Sequence, residues 1–175
     1  MRASITLAMF LMAIELINCQ TLNMGRCPTV EVKKDFDLAK YAGTWYENTK
    51  NRRYWFIMDS GLKCASETYT LEGNDTIIVH NKGQRILPIY ENTNRNVVSP
   101  QDVPYWVLDT DYTNYAVVWS CSVRARVNAQ ITWILTRAIK PDPSVLRTAM
   151  DVLSRNGLGR TSMIPTSHSS CREAP

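Results

Sequence analysis

The chain has 175 residues and a formal net charge of +4, with 45% apolar and 21% charged residues. That length suits one domain with a real core and excludes two comfortable ones, and the composition excludes a disordered chain. The basic excess is mild and forms no concentrated face, which argues against nucleic acid as a partner.

The first element in chain order is a leader. Arg2 precedes the apolar run ITLAMFLMAIELI, residues 5–17, broken only by Glu15. A basic start, a short apolar stretch and then small or polar residues make the anatomy of a secretory signal, too short and interrupted to span a membrane. Residues 1–19 are therefore expected to be cleaved after Cys19, leaving residues 20–175 as one exported domain with no membrane span. Cleavage removes Cys19 and leaves Cys27, Cys64, Cys121 and Cys171, an even set suited to disulfides in an oxidising compartment. Four cysteines admit three pairings, and the sequence alone does not choose among them. No C-x-x-C spacing points to a zinc knuckle or a redox motif. The sequon Asn74-Asp75-Thr76 makes a glycoprotein the expectation, with Asn74 at an exposed turn.

The body reads as strands: TWYENTKN (44–51), CASETYTLE (64–72), TIIVHN (76–81), RILPIYE (85–91), YWVLDT (105–110), YAVVWSC (115–121) and AQITWILTR (129–137). Short runs of this kind, separated by turn residues, predict an all-β barrel or sandwich. The proline in RILPIYE marks an edge or a bulge. The character then changes. Val145, Leu146, Ala149, Val152 and Leu153 recur at helical spacing, with Asp142 as N-cap, Pro143 and Ser144 opening the helix and Gly157 closing it. This amphipathic helix must lay its apolar stripe on something, most simply the outside of the sheet. The Ser/Thr-rich tail from Thr161 is expected to be irregular and tied down at Cys171.

Three segments carry a resemblance: Gly43-Thr44-Trp45 opening the first strand, Thr110-Asp111-Tyr112 in a late turn, and Arg137 closing the last strand. In kind and order they resemble the signature segments of the lipocalin family. The stretches CPTVEVKKDFDLAKYAGTWYE (27–47) and VPYWVLDTDYTNYAVVWSC (103–121) look most like its apolipoprotein D and insect bilin-binding, insecticyanin-like branch. The resemblance implies an eight-stranded up-and-down antiparallel barrel with one C-terminal helix packed outside. It implies that Trp45 sits at the closed end with Arg137 stacked across its ring, a contact favoured by the ring quadrupole and the planar guanidinium. With Asp111 holding the nearby turn, these three make a structural plug. Position-by-position matching implies ligand contacts at Tyr69, Asn81, Tyr105 and Trp133, and Arg85 near the mouth is a further candidate. Alternation from an inward Trp45 adds Glu47. The resemblance also implies the pairings Cys27–Cys121 and Cys64–Cys171. One departure stands out. Between RILPIYENTNR and VPYWVLDT the branch has a whole further strand, whereas this chain has only NVVSPQD. Either a very short strand over Asn96–Ser99 replaces it, or the barrel has a gap that opens the side of the pocket and leaves edges free to pair with a second copy.

The expected function is a secreted carrier that binds a small lipophilic molecule non-covalently in the cup. A bilin such as biliverdin, a sterol, a fatty acid or a retinoid is the ligand class, and no resident cofactor is required. The alternative is an interaction protein with a packed or truncated barrel, working through loops such as NRRYWFIM (51–58) on a receptor or another protein. Catalysis is the minor reading. No G-x-S-x-G elbow or phosphate loop is present. His80 and His168 have no partners at ligand spacing, so no metal is expected. Glu47 is the one inward carboxylate that could serve an enzyme.

Overall fold

The computed structural model describes residues 23–52, 61–72, 76–85, 95–96 and 105–171. The expected leader, the sequon at Asn74, most of the NRRYWFIM loop and residues 86–91 of the fourth expected strand lie outside the described residues.

Alternating side chains set the sheet. The strands are β1 (Asn23–Met24), β2 (Gly43–Asn51), β3 (Leu62–Glu72), β4 (Thr76–Arg85), β5 (Arg95–Asn96), β6 (Trp106–Thr110), β7 (Tyr115–Arg124), β8 (Val127–Thr136) and β9 (Met163–Pro165). Two helices accompany them, α1 (Leu38–Tyr41) and α2 (Pro143–Arg155). The sheet runs β5-β4-β3-β2-β8-β7-β6, with β1 added to β8 and β9 added to β2. All the pairings are antiparallel. This is the up-and-down order expected from the sequence, and it departs from a closed barrel at one place. Among the described residues β5 pairs only with β4, through two residues, and β6 pairs only with β7. Among the described residues no pairing joins β5 to β6, so the described sheet curls without closing.

β7 is buried on both faces and shows why a curled sheet has two cores. Ala116 and Val118 point inward, onto Tyr41, Trp45, Tyr69 and Leu135. Val117, Trp119 and Cys121 point outward, with Ile134 and Leu108, onto Ala149, Val152 and Leu153 of α2. The helix is fixed at its start by Asp142, whose carboxylate accepts from the Ser144 amide at 2.7 Å, and it ends at Gly157 with φ +70°. Full burial of Val152 and Leu153 contributes about 1.5–3 kcal/mol each.

The tail corrects the sequence reading. It is not irregular throughout: β9 lies along the second half of β2, with Thr49, Lys50 and Asn51 opposite Pro165, Ile164 and Met163. β3 covers only Gly43–Tyr46 of that edge, so the tail takes its place beyond a β-bulge between Glu47 and Thr49. Disulfides join Cys27 to Cys121 and Cys64 to Cys171, 94 and 107 residues apart. Loops of that size contribute about 4–5 kcal/mol each by the chain-entropy estimate. The first bridge ties the N-terminal segment to β7, and the second ties the tail to β3.

Candidate ligand cavity

The sealed end of the sheet is built around Arg137. Its guanidinium carbon lies 3.7 Å from the centroid of the Trp45 ring, and Trp45 is completely buried. The guanidinium donates to the carbonyls of Tyr112 (3.1 Å), Thr44 (2.9 Å), Ala42 (2.8 Å), Lys40 (3.1 Å) and Tyr41 (3.2 Å). One side chain thus ties α1, the start of β2 and the β6–β7 turn together. Asp111 holds that turn, accepting from the amides of Thr113, Asn114 and Tyr115 and from the Asn114 side chain. Burial pushes its carboxyl upward, but the Asn114 side chain and the three amides outweigh burial and leave the pKa below the ordinary value.

A short helix missed in the sequence reading supplies the floor. Asp37 caps α1 by accepting from the Lys40 amide, and the turn presents Tyr41 to the interior, where it is 1% exposed. Across from it stand Tyr69 on β3 and Tyr105 just before β6. The Tyr41 and Tyr105 hydroxyls are 3.0 Å apart, those of Tyr69 and Tyr105 are 2.6 Å apart, and Tyr69 donates to the Glu67 carboxylate. Burial, foremost, holds all three phenols above their ordinary pKa, with the Glu67 charge among the further causes. Tyr105 is 44% exposed as a residue, yet its hydroxyl is bonded to two buried phenols.

These tyrosines line a cavity of about 440 Å³. Its walls are apolar: Phe36 and Leu38 from the N-terminal segment, Ile77 and Val79 from β4, Trp106 and Val107 from β6. It lies beside the sealed end, with walls drawn from β4, β6 and the N-terminal segment. Lys33 contributes to the lining, but its ammonium bonds Asp109 at 3.1 Å, and Asp109 is not part of the wall. On the far side of Tyr105 lies a second void of about 30 Å³, bounded by Glu67, Val118, Trp133 and Leu135. Tyr105 borders both spaces.

Of the six residues expected to meet ligand, Tyr69 and Tyr105 line the main cavity and Trp133 lines the small void. Asn81 is exposed, opposite Glu67 in the β3–β4 ladder, and borders neither space. Arg85 ends β4 opposite Leu62. Glu47 requires a correction. It is 3% exposed, and its Oε1 is held by Lys50 at 2.8 Å and by the Thr166 hydroxyl at 2.5 Å. The tail that pairs with β2 also closes over this carboxylate, and it lines neither of the two spaces. The inward carboxylate that borders one is Glu67. Its register signal was available: Glu67 sits two residues before Tyr69 and therefore shares its face. Among the described residues no cluster of three or more His, Cys, Asp or Glu could hold a metal.

Fold and cavity together define a class: an antiparallel up-and-down β-cup, plugged at one end by an arginine–tryptophan stack and backed by one external helix. The profile of the Lipocalin / cytosolic fatty-acid binding protein family matches residues 88–170. Apolipoprotein D of Mus musculus is 32% identical over 171 residues, covering 87% of this chain and 87% of its own. Lazarillo protein of Schistocerca americana is 26% identical over 176 residues, covering 86% and 77%. Insecticyanin of the tobacco hornworm Manduca sexta shares the fold, with a TM-score of 0.65 at 22% identity over 84% of this chain and 88% of that one. The chain belongs to the lipocalin family.

Proposed function

We propose that the protein is an extracellular carrier that takes one small lipophilic molecule, non-covalently, into the cavity between β4, β6 and the N-terminal segment. The observation that carries this reading is the cavity itself, an apolar space of about 440 Å³ with a few convergent polar groups. That is the size and chemistry of a small-molecule site, commonly about 300–1,000 Å³. The family's description as one of fatty-acid binding proteins supports binding over conversion. Two disulfides and the leader-like N-terminus support export. Burial of apolar ligand surface drives association, and the phenols orient the polar end. Bilins, sterols, retinoids and fatty acids remain the ligand classes to try, biliverdin first.

The test is a titration of intrinsic tryptophan fluorescence, since Trp106 lines the cavity and Trp133 borders the adjoining void. Biliverdin, progesterone, retinol and arachidonate are the probes. Saturable quenching by at least one, lost when Ile77→Arg puts a charge into the wall, is the expected result. A second reading, an interaction protein, is favoured by one observation: β6 offers an edge that no strand among the described residues covers. Absence of quenching by all four probes, with self-association at rising concentration, would favour it.

A further inference from the structure

The hydrogen-bond chain in the cavity has a direction, and the direction selects a ligand class. This inference rests on the carrier reading above and specifies it. Each phenol brings one proton and two lone pairs. Tyr69 gives its proton to Glu67. The Tyr69–Tyr105 bond must then use the Tyr105 proton, and the Tyr41–Tyr105 bond must use the Tyr41 proton. Three hydroxyls make three bonds, and no phenol proton remains for a guest. What the phenols still present is lone pairs: two on Tyr41 and one each on Tyr105 and Tyr69. The cation in the wall does not alter this, because the Lys33 ammonium is turned onto Asp109 and the face of the Tyr112 ring.

From this parity we infer that the cavity selects a neutral lipophile ending in a hydroxyl or N–H donor and discriminates against fatty carboxylates. A donor headgroup completes the open lone pairs. A carboxylate brings only acceptors, finds no phenol proton, and carries a charge that is costly to bury in an apolar cavity. A neutral group that only accepts, such as an ester, gains no hydrogen bond but avoids the charge. Because a buried polar group left unpaired is costly, the discrimination is expected to be at least about tenfold.

A matched series on one skeleton tests this: retinol, retinyl acetate and retinoate, titrated at neutral pH by tryptophan quenching. Retinol is expected to bind at least about tenfold more tightly than retinoate, with retinyl acetate between them. In Tyr69→Phe the Tyr105 proton is released from the chain, so the advantage of retinol over retinyl acetate should shrink several-fold while circular dichroism stays unchanged. Retinoate binding as tightly as retinol would overturn the inference and leave the carrier reading standing. So would a retinol-to-acetate ratio that Tyr69→Phe does not move in a folded variant. Failure of all three, and of the wider probe panel, would remove the carrier reading and this inference with it.

Discussion

At Gly43 two constraints meet. Its φ of +96° lies where a side chain is strained, and a Cβ there would stand 3.1 Å from Nη1 of Arg137. The glycine of the Gly-x-Trp segment is thus the space through which the guanidinium reaches the Thr44 carbonyl. Gly43→Ala should lower stability by about 2 kcal/mol, read as a shift of the urea midpoint at constant slope. An unmoved midpoint would show that the plug tolerates a side chain there. Asp111 supplies a pH dependence. Its folded-state pKa is depressed, so the stabilisation is complete above the unfolded value of about 4 and is lost as pH falls through the folded value. Asp111→Asn should therefore cost stability at pH 7 and progressively less as acid protonates the wild-type carboxyl. Melting temperatures at pH 7 and pH 3 check this; a difference that widens in acid would contradict it.

Among the elements, β2 does the most to explain what the sequence disclosed and what it hid. Its first half was legible because Gly43, Trp45 and Arg137 match the family's signature segments, and the resemblance implied a guanidinium stacked on the indole. Its second half was not, because the partner is a three-residue strand, Met-Ile-Pro, with a proline and no alternation to betray it. The same gap hid the fate of Glu47. Parity aims it inward, and only knowledge of β9 places the Thr166 hydroxyl on its Oε1. Glu67 was recoverable by parity from Tyr69, whereas Tyr41 needed the four-residue helix α1, too short to give a periodic signal. The buried Glu47–Lys50 pair gives this element its prediction. Lys50 is wholly buried and bonds Glu47 at 2.8 Å, so Glu47→Ala removes a buried counter-charge and should cost about 3 kcal/mol. Glu47→Ala/Lys50→Met, which removes both charges, should recover much of that loss. Chemical unfolding of the single and double variants decides it; a double variant no better than Glu47→Ala would mean that Lys50 does not depend on this carboxylate.

Across the whole molecule, the position of the cavity decides how the proposed guest would be held. Trp45, Ala116, Val118 and Leu135 form a buried inner core with only a small void against it, and among the described residues the larger space is lined by β4, β6 and the N-terminal segment that Cys27–Cys121 anchors. The sequence disclosed a short connection, replaced either by a very short strand or by a gap, but neither alternative says which apolar side chains line the cavity beside it. The central claim is that this lateral cavity holds one lipophilic guest. Native mass spectrometry of the purified protein after incubation with retinol and biliverdin tests it most directly. A one-to-one complex with at least one of them, absent from folded Ile77→Arg, is the predicted result. No complex with either, or a complex that survives Ile77→Arg undiminished, would contradict it.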